Sequence, residues 1–334
     1  MNAPADFTTA LTRRRGMAWL VAALGATVHP ARSAGPVEWP PRTIRFVVAY
    51  PVGGVSSGVA RLLALALERH LGSTVIVDHR PGAGGTLAMD QLARSAPDGS
   101  TLCFSAITPL TLAPWLGRVP YDPVRDIAAV FAVMATPVLV LGTEALKADS
   151  LPAMLTLARR MPGQIRWTTS GQGTTGHLVL ERVAAASGTL ITHVPYQGGG
   201  QQINDALGRQ FEVLSSNVAA TTLRLVREGR LKALAVSGAE RVEALASVPT
   251  LAELGFPEAN QVSVFGLFAA GGTPGVLVDR INEALSVAWR DSALQRHLTE
   301  THNLPLGGDA KAFQDLVSAE REAQRVWHAR AGMR

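Results

Sequence analysis

Short apolar runs rich in β-branched residues alternate along this chain with longer stretches whose apolar positions recur every three or four residues. The runs "TIRFVVAY", "TVIVDH", "TLCFSA", "VLVLG", "IRWTTS", "LITHVPY", "FEVLSS", "LKALAVSG" and "VSVFGLFAA" read as strands. "SGVARLLALALERHLG" places Val59, Leu62, Leu63, Ala66 and Leu67 on one face, the spacing of an amphipathic helix. "SLPAMLTLARRMPG" and "TPGVLVDRINEALSVAWRD" repeat the pattern, each with Ser or Thr ahead of an early Pro as a start signal. The last helix, "DAKAFQDLVSAEREAQRVWHARAG", offers Phe313, Leu316, Val317 and Trp327 as its buried stripe. Alternation of strand and helix from end to end predicts an α/β architecture with largely parallel sheets.

The first 34 residues break this pattern. "TRRR" precedes an apolar run from Met17 to Val28, followed by small residues at Ala31 and Ser33. The run falls short of the about 20 residues that span a bilayer. A positive segment, a short apolar segment and small residues describe a secretory signal, with cleavage after Ser33 or Ala34 and Arg13–Arg14 as a twin-arginine cue. Residues 1–34 are therefore expected to be a signal peptide and the protein to be periplasmic. The 334-residue length leaves room for two domains of ordinary size, each with its own core.

Removing the leader changes the charge argument. Arg13, Arg14, Arg15 and Arg32 against Asp6 supply three of the five net positive charges. The remainder is too small and too scattered for a nucleic-acid surface, so no nucleic acid is expected as partner. Cys103 is the only cysteine, which excludes an intramolecular disulfide and a multi-cysteine metal site. The eight histidines include no H-E-x-x-H pair. No cofactor and no metal are expected.

Candidate chemistry lies in glycine-rich strand-to-helix turns: "YPVGGVSSG", "RPGAGGT" and "SGQGTTGH". In open α/β sheets ligands bind at the carboxyl ends of the strands, where helix N-termini present free N–H groups to an anion. "RPGAGG" reads as a tight turn only. "SGQGTTG" matches the dinucleotide fingerprint, but the expected acidic residue about 20 positions later is missing; Tyr196 and Gln197 stand there. "GVSSG" matches the nucleophile elbow of α/β-hydrolases, with Ser56 as nucleophile and His177, His193 or His302 as base, oriented by Asp205 or Asp309. It follows the first strand instead of a later one, and no upstream H-G-G loop would build an oxyanion hole. An exported serine hydrolase is the alternative to a binding protein.

Several motifs in order carry a resemblance: "IRFVVAYPVGG", "VARLLALALERHLG", "VIVDHRPGAGG", "APDGSTLCF", "VPYDPVRDI", "SGQGTTGHL", "HVPYQGGG", "GRLKALAVSGAERVEALASVPTLAELGF" and "FGLFAAGGTP". From Arg42 to Gly332 the chain resembles the Bug family of periplasmic solute-binding proteins, the tripartite tricarboxylate transporter receptors. The resemblance implies a two-lobed type II periplasmic-binding-protein fold with the ligand cleft between the lobes. Lobe one would combine residues 35–136 with 256–334, and lobe two would be residues 137–255. It implies no enzyme activity, but capture of a small carboxylate for uptake or sensing by a monomer that serves a membrane transporter or a sensor protein.

The loops that hold the carboxylate in that family match Tyr50, Gly53, Gly54, Val55 and Ser56, and Ser170, Gly173, Thr174, Thr175 and His177. Thr108 and Tyr196 complete the candidate set. Thr174 and Thr175 read equally as ligand donors or helix caps. Where the family's first loop commonly carries Ser and Asp, this chain has Val55 and Ser57. Ile107, Pro109 and Leu110 are expected at the mouth of the cleft. A less polar wall would favour a carboxylate with an apolar or aromatic body over aspartate, glutamate or citrate.

Overall fold

The computed structural model describes residues 38–330. The expected signal peptide lies outside them. Among the described residues, eleven strands form two sheets. The first four strands are β1 (Thr43–Val48), β2 (Thr74–His79), β3 (Thr101–Ala106) and β4 (Ile127–Thr136). Next come β5 (Val138–Gly142), β6 (Arg166–Thr169), β7 (Thr192–Pro195), β8 (Val213–Asn217) and β9 (Lys232–Val236). The chain ends its strands with β10 (Ser263–Ala270) and β11 (Leu304–Pro305). The strand orders are β11-β4-β10-β3-β1-β2 and β7-β6-β8-β5-β9.

The two sheets share one plan. Three parallel strands, β2-β1-β3 or β7-β6-β8, adjoin one strand that runs the other way, β10 or β5. The sheets are thus mixed, not largely parallel as the alternation predicts. The cause is the chain's path between them. After β4 ends at Thr136 in one sheet, β5 begins at Val138 in the other, and the chain returns to the first sheet at Ser263. Strands β5 and β10 start where the parallel strands finish, so they must run in the opposite sense.

The helices are α1 (Val55–Leu71), α2 (Thr86–Ala93), α3 (Thr108–Thr111), α4 (Ala113–Leu116), α5 (Leu151–Arg160) and α6 (Thr175–Ser187). They continue with α7 (Gly199–Leu207), α8 (Ala220–Arg227), α9 (Gly275–Trp289), α10 (Ser292–Glu300) and α11 (Ala310–Arg330). Each sheet is covered on both faces. Along β1, Ile44, Phe46 and Val48 join the core under α1 and α9, while Val47 joins Met89, Cys103 and Phe313 on the other face. Along β5, Val138 and Val140 face one core and Leu139 and Leu141 the other. This is the period-two arithmetic of a strand buried on both sides. Burial pushes the Cys103 thiol well up, so it behaves as a core residue.

Strand β4 has no counterpart among the runs that read as strands. "IAAVFAVMAT" is almost wholly buried and mixes four alanines with Ile127, Val130, Val133 and Thr136, so it shows no alternation of apolar and polar positions.

Candidate functional site

Five strand-to-helix turns open into one cavity of about 350 Å³ between the sheets. From the first sheet, the turn between β1 and α1 contributes Tyr50, Pro51, Gly53, Gly54, Val55 and Ser56, and the end of β3 contributes Ala106 and Thr108. From the second, the turn between β6 and α6 supplies Ser170, Thr174 and Thr175. The turns into α7 and α8 add Gly198 to Gly200, Ser215 to Asn217, Thr221 and Thr222. The crossing strands close the back with Val138, Ser263 and Phe265.

Helices α1, α6, α7 and α8 all begin at this cavity, and none has an acidic residue in its first turn. Their first N–H groups lack intrahelical partners and carry partial positive charge. Among the described residues of the wall there is no Asp, Glu, Lys, Arg or His. The Tyr50 ring meets Phe265 edge-on at 5.8 Å. Burial pushes its hydroxyl pKa up to about 12, so it is a neutral phenol. Thr108 Oγ1 is buried and has no hydrogen-bond partner.

The β6–α6 turn is held from behind. Thr169 Oγ1 accepts from the Gly171 N–H at 3.2 Å, and Thr174 Oγ1 donates to the Gly171 carbonyl at 2.8 Å. The Gly173 N–H donates to His177 Nδ1 at 3.3 Å. The His177 ring stacks on His193 at 4.1 Å between centroids, and Nε2 of His193 lies 2.8 Å from Thr169 Oγ1. Burial, then the neighbouring His177, lowers His193 to about 4. A hydrogen bond from His177 holds Glu181 below the usual carboxylate range.

These contacts explain which candidates stand off the wall. Gly173 and His177 spend their polar groups on each other, behind the turn. Tyr196 points its hydroxyl at Asp205, 2.7 Å away, and packs edge-on against Phe211. The other candidates, Tyr50, Gly53, Gly54, Val55, Ser56, Thr108, Ser170, Thr174 and Thr175, come together on the cavity wall. Ile107 and Leu110 are not at the mouth; both are buried in the core beneath the first sheet, because α3 turns them inward. The wall of α7 and α8 goes unnamed in the sequence reading. The turns "YQGGG" and "SSNVAATT" carry the same glycine and hydroxyl signal as the turns that were named.

The parts of a serine hydrolase are dispersed. No hydrogen bond joins Ser56 to a histidine among the described residues. It is the neighbouring Ser57 whose hydroxyl lies 3.4 Å from His79 Nε2. Asp205 serves Tyr196, and Asp309 caps α11 through the Ala312 N–H at 2.7 Å.

Residues 59–328 match the family model described as tripartite tricarboxylate transporter family receptor. The chain belongs to that family. Among curated relatives of this receptor is Protein BugT of Bordetella pertussis, 33% identical over 283 residues, which cover 83% of this chain and 86% of BugT. Among solved structures, Rpa4515 of R. palustris with adipate superposes with a TM-score of 0.81 at 29% identity, covering 89% of this receptor and 99% of that chain. MatC of Rhodopseudomonas palustris with bound malate gives 0.80 at 27% identity, covering 85% and 98%. The receptor has the two-lobed fold of the periplasmic binding proteins, with the cavity in the cleft between the lobes.

Proposed function

We propose that this chain is an exported receptor that captures a small carboxylate between its lobes and hands it to a membrane transporter or a sensor. Residues 1–34 would be removed on export. Lobe one would be residues 35–136 with 256–334, and lobe two residues 137–255, acting as a monomer. The observation that carries the reading is the convergence of four helix N-termini on a cavity whose wall has no charged side chain. Such a cavity binds an anion through backbone N–H groups and hydroxyls. The adipate and malate bound by the structural relatives are of that class.

Magnitudes explain why both lobes are needed. A hydrogen bond to a charged group contributes about 1.5–3 kcal/mol, and a helix N-terminus about 0.3–1 kcal/mol. Micromolar binding needs about 8 kcal/mol net, after the cost of immobilising the ligand. One turn supplies too little. Closure of the lobes brings the turns of β6, β7 and β8 to a ligand already seated on β1.

The test is a thermal-shift panel of the purified protein with small carboxylates, adipate and malate among them. A binding protein shows a Tm that climbs with ligand concentration, as linkage requires, and consumes nothing. No shift with any carboxylate at millimolar concentration, or ester turnover lost in Ser56→Ala, would overturn the reading.

A further inference from the structure

We infer that a second cavity, walled by Arg182, Phe256 and Trp327, is an accessory site for a small organic anion, a carboxylate on an aromatic or apolar body. It has a volume of about 290 Å³ and shares no residue with the interlobe cavity. Helix α6 packs on the second sheet through Val179 and Val183, and α11 packs on the first through Phe313 and Val317. The second cavity lies where these two helices meet, beside residues 255–259, through which the chain returns to the first sheet.

Arg182 calls for the anion. It is only 6% exposed, and its guanidinium makes two hydrogen bonds, both to neutral acceptors. Nη1 donates to the Glu258 carbonyl at 2.6 Å and Nη2 to Gln324 Oε1 at 3.2 Å, while Nε has no partner. Among the described residues no carboxylate pairs with it. Glu320 stands one step away, accepting from Gln324 Nε2 at 2.5 Å. Burial lowers the Arg182 pKa, and Glu320 and Glu258 oppose that from a distance. A buried cation without a counter-ion is costly. Its planar fork matches the two oxygens of a carboxylate. Apart from Arg182 and the exposed Glu258, the lining is apolar or glycine, with the Trp327 ring 5.3 Å from Arg182 Cζ. Such walls suit an organic body and leave an inorganic ion without partners on most sides. A bound anion would tie α6 to α11 from outside the cleft.

Benzoate and its neutral counterpart benzamide, titrated into the ¹⁵N-labelled protein and read at the Trp327 indole N–H, decide it. Benzoate should shift that signal saturably and bind about tenfold or more tightly than benzamide. Arg182→Gln should reduce benzoate to the level of benzamide. Ala186→Leu keeps Arg182 but puts a bulkier side chain into the cavity, so it should abolish the shift with the Tm held, which covers the case of an Arg182→Gln protein that does not fold. Glu258→Gln removes the one acidic side chain of the lining and should tighten benzoate about twofold. Equal binding of benzoate and benzamide, no saturable shift at tens of millimolar, or a benzoate response unchanged in Ala186→Leu would overturn the inference and leave Arg182 a brace between two helices. Weaker binding in Glu258→Gln would do the same, since it would mark the cavity as a cation site. None of these readings depends on what the interlobe cavity binds.

Discussion

Two glycine-rich turns of the first lobe look alike in sequence and do different things. The turn after β1, Pro51 to Gly54, lines the cavity. The turn after β2, Gly82 to Gly85, lies against the opposite lobe instead. A Cβ on Gly84 would overlap the Gln172 carbonyl oxygen, and one on Gly171 would come into ordinary contact with the Gly84 backbone at 3.5 Å. The difference follows from strand position. In the order β11-β4-β10-β3-β1-β2, strand β1 is interior and β2 is the edge. A turn from an interior strand opens over the middle of the cleft, and one from the edge strand reaches its rim.

The second lobe repeats the contact across the cleft, although its edge-strand turn, Gly198 to Gly200, also lines the cavity. Interior β6 feeds the turn at Ser170 to Thr174, and edge strand β7 feeds Gly198, whose Cβ would overlap the Pro51 ring of the first lobe. Each edge-strand turn thus touches the interior-strand turn of the other lobe. The pair forms a reciprocal clasp across the cleft, made where glycine leaves no side chain in the way. "RPGAGG" is more than a tight turn.

The largest effect is expected at Gly84. Gly84 has φ 64° and faces Gln172, while Gly72, which ends α1 with φ 68°, has nothing within 4 Å. Alanine at either site pays the same left-handed backbone penalty, of order 1–2 kcal/mol. Only Gly84→Ala also props the lobes apart, so it should lose about 10- to 100-fold in affinity for the tightest carboxylate, with a Tm close to that of Gly72→Ala. Equal affinities in the two variants would reduce the turn after β2 to a surface loop.

Gly198→Ala should act in the same direction with a smaller loss, about tenfold. Its obstacle is the Pro51 ring at the tip of a turn, which can yield further than a carbonyl packed between two turns. Calorimetry on the Gly84→Ala/Gly198→Ala double variant sharpens the comparison. If both contacts belong to one closing step, the two losses are not additive. Strict additivity would mean two separate local disturbances.

The lesson for sequence reading is uneven. Strands β1 and β2 stood out because β-branched runs end at glycine-rich turns, and the turns that line the cavity carried their glycines and hydroxyls openly. Strand β4 was invisible because it is buried on both faces and so shows no alternation of apolar and polar positions. Which glycine turns reach across to the other lobe could not be read, since that depends on the order of strands in the sheet and not on their order in the chain. Ile107 and Leu110 misled for a related reason: their position after β3 was right for the cleft, but the first turn of α3 rotates them into the core while Thr108 stays on the wall.

The smallest effect concerns what braces the interior turn of lobe two. His193 lies against Thr169 Oγ1 and the His177 ring, with Glu181 on the far side of His177. Its pKa is lowered from 6.5 to about 4, by burial first and by His177 second, with Glu181 acting in the opposite sense. Below pH 6.5 the unfolded chain therefore takes up a proton that the folded chain refuses. Stability tied to His193 is complete above that pH and is lost as pH falls toward 4. The Tm should drop by about 2–4 °C over this window beyond the loss shown by His193→Gln, whose amide can still reach Thr169 but cannot titrate. Because the same ring supports the turn that presents Ser170 and Thr174, carboxylate affinity should weaken over the same window in the parent protein and less so in the variant. Superimposable Tm profiles for the two proteins between pH 4 and 7 would show that the histidine pair packs behind the turn without governing it.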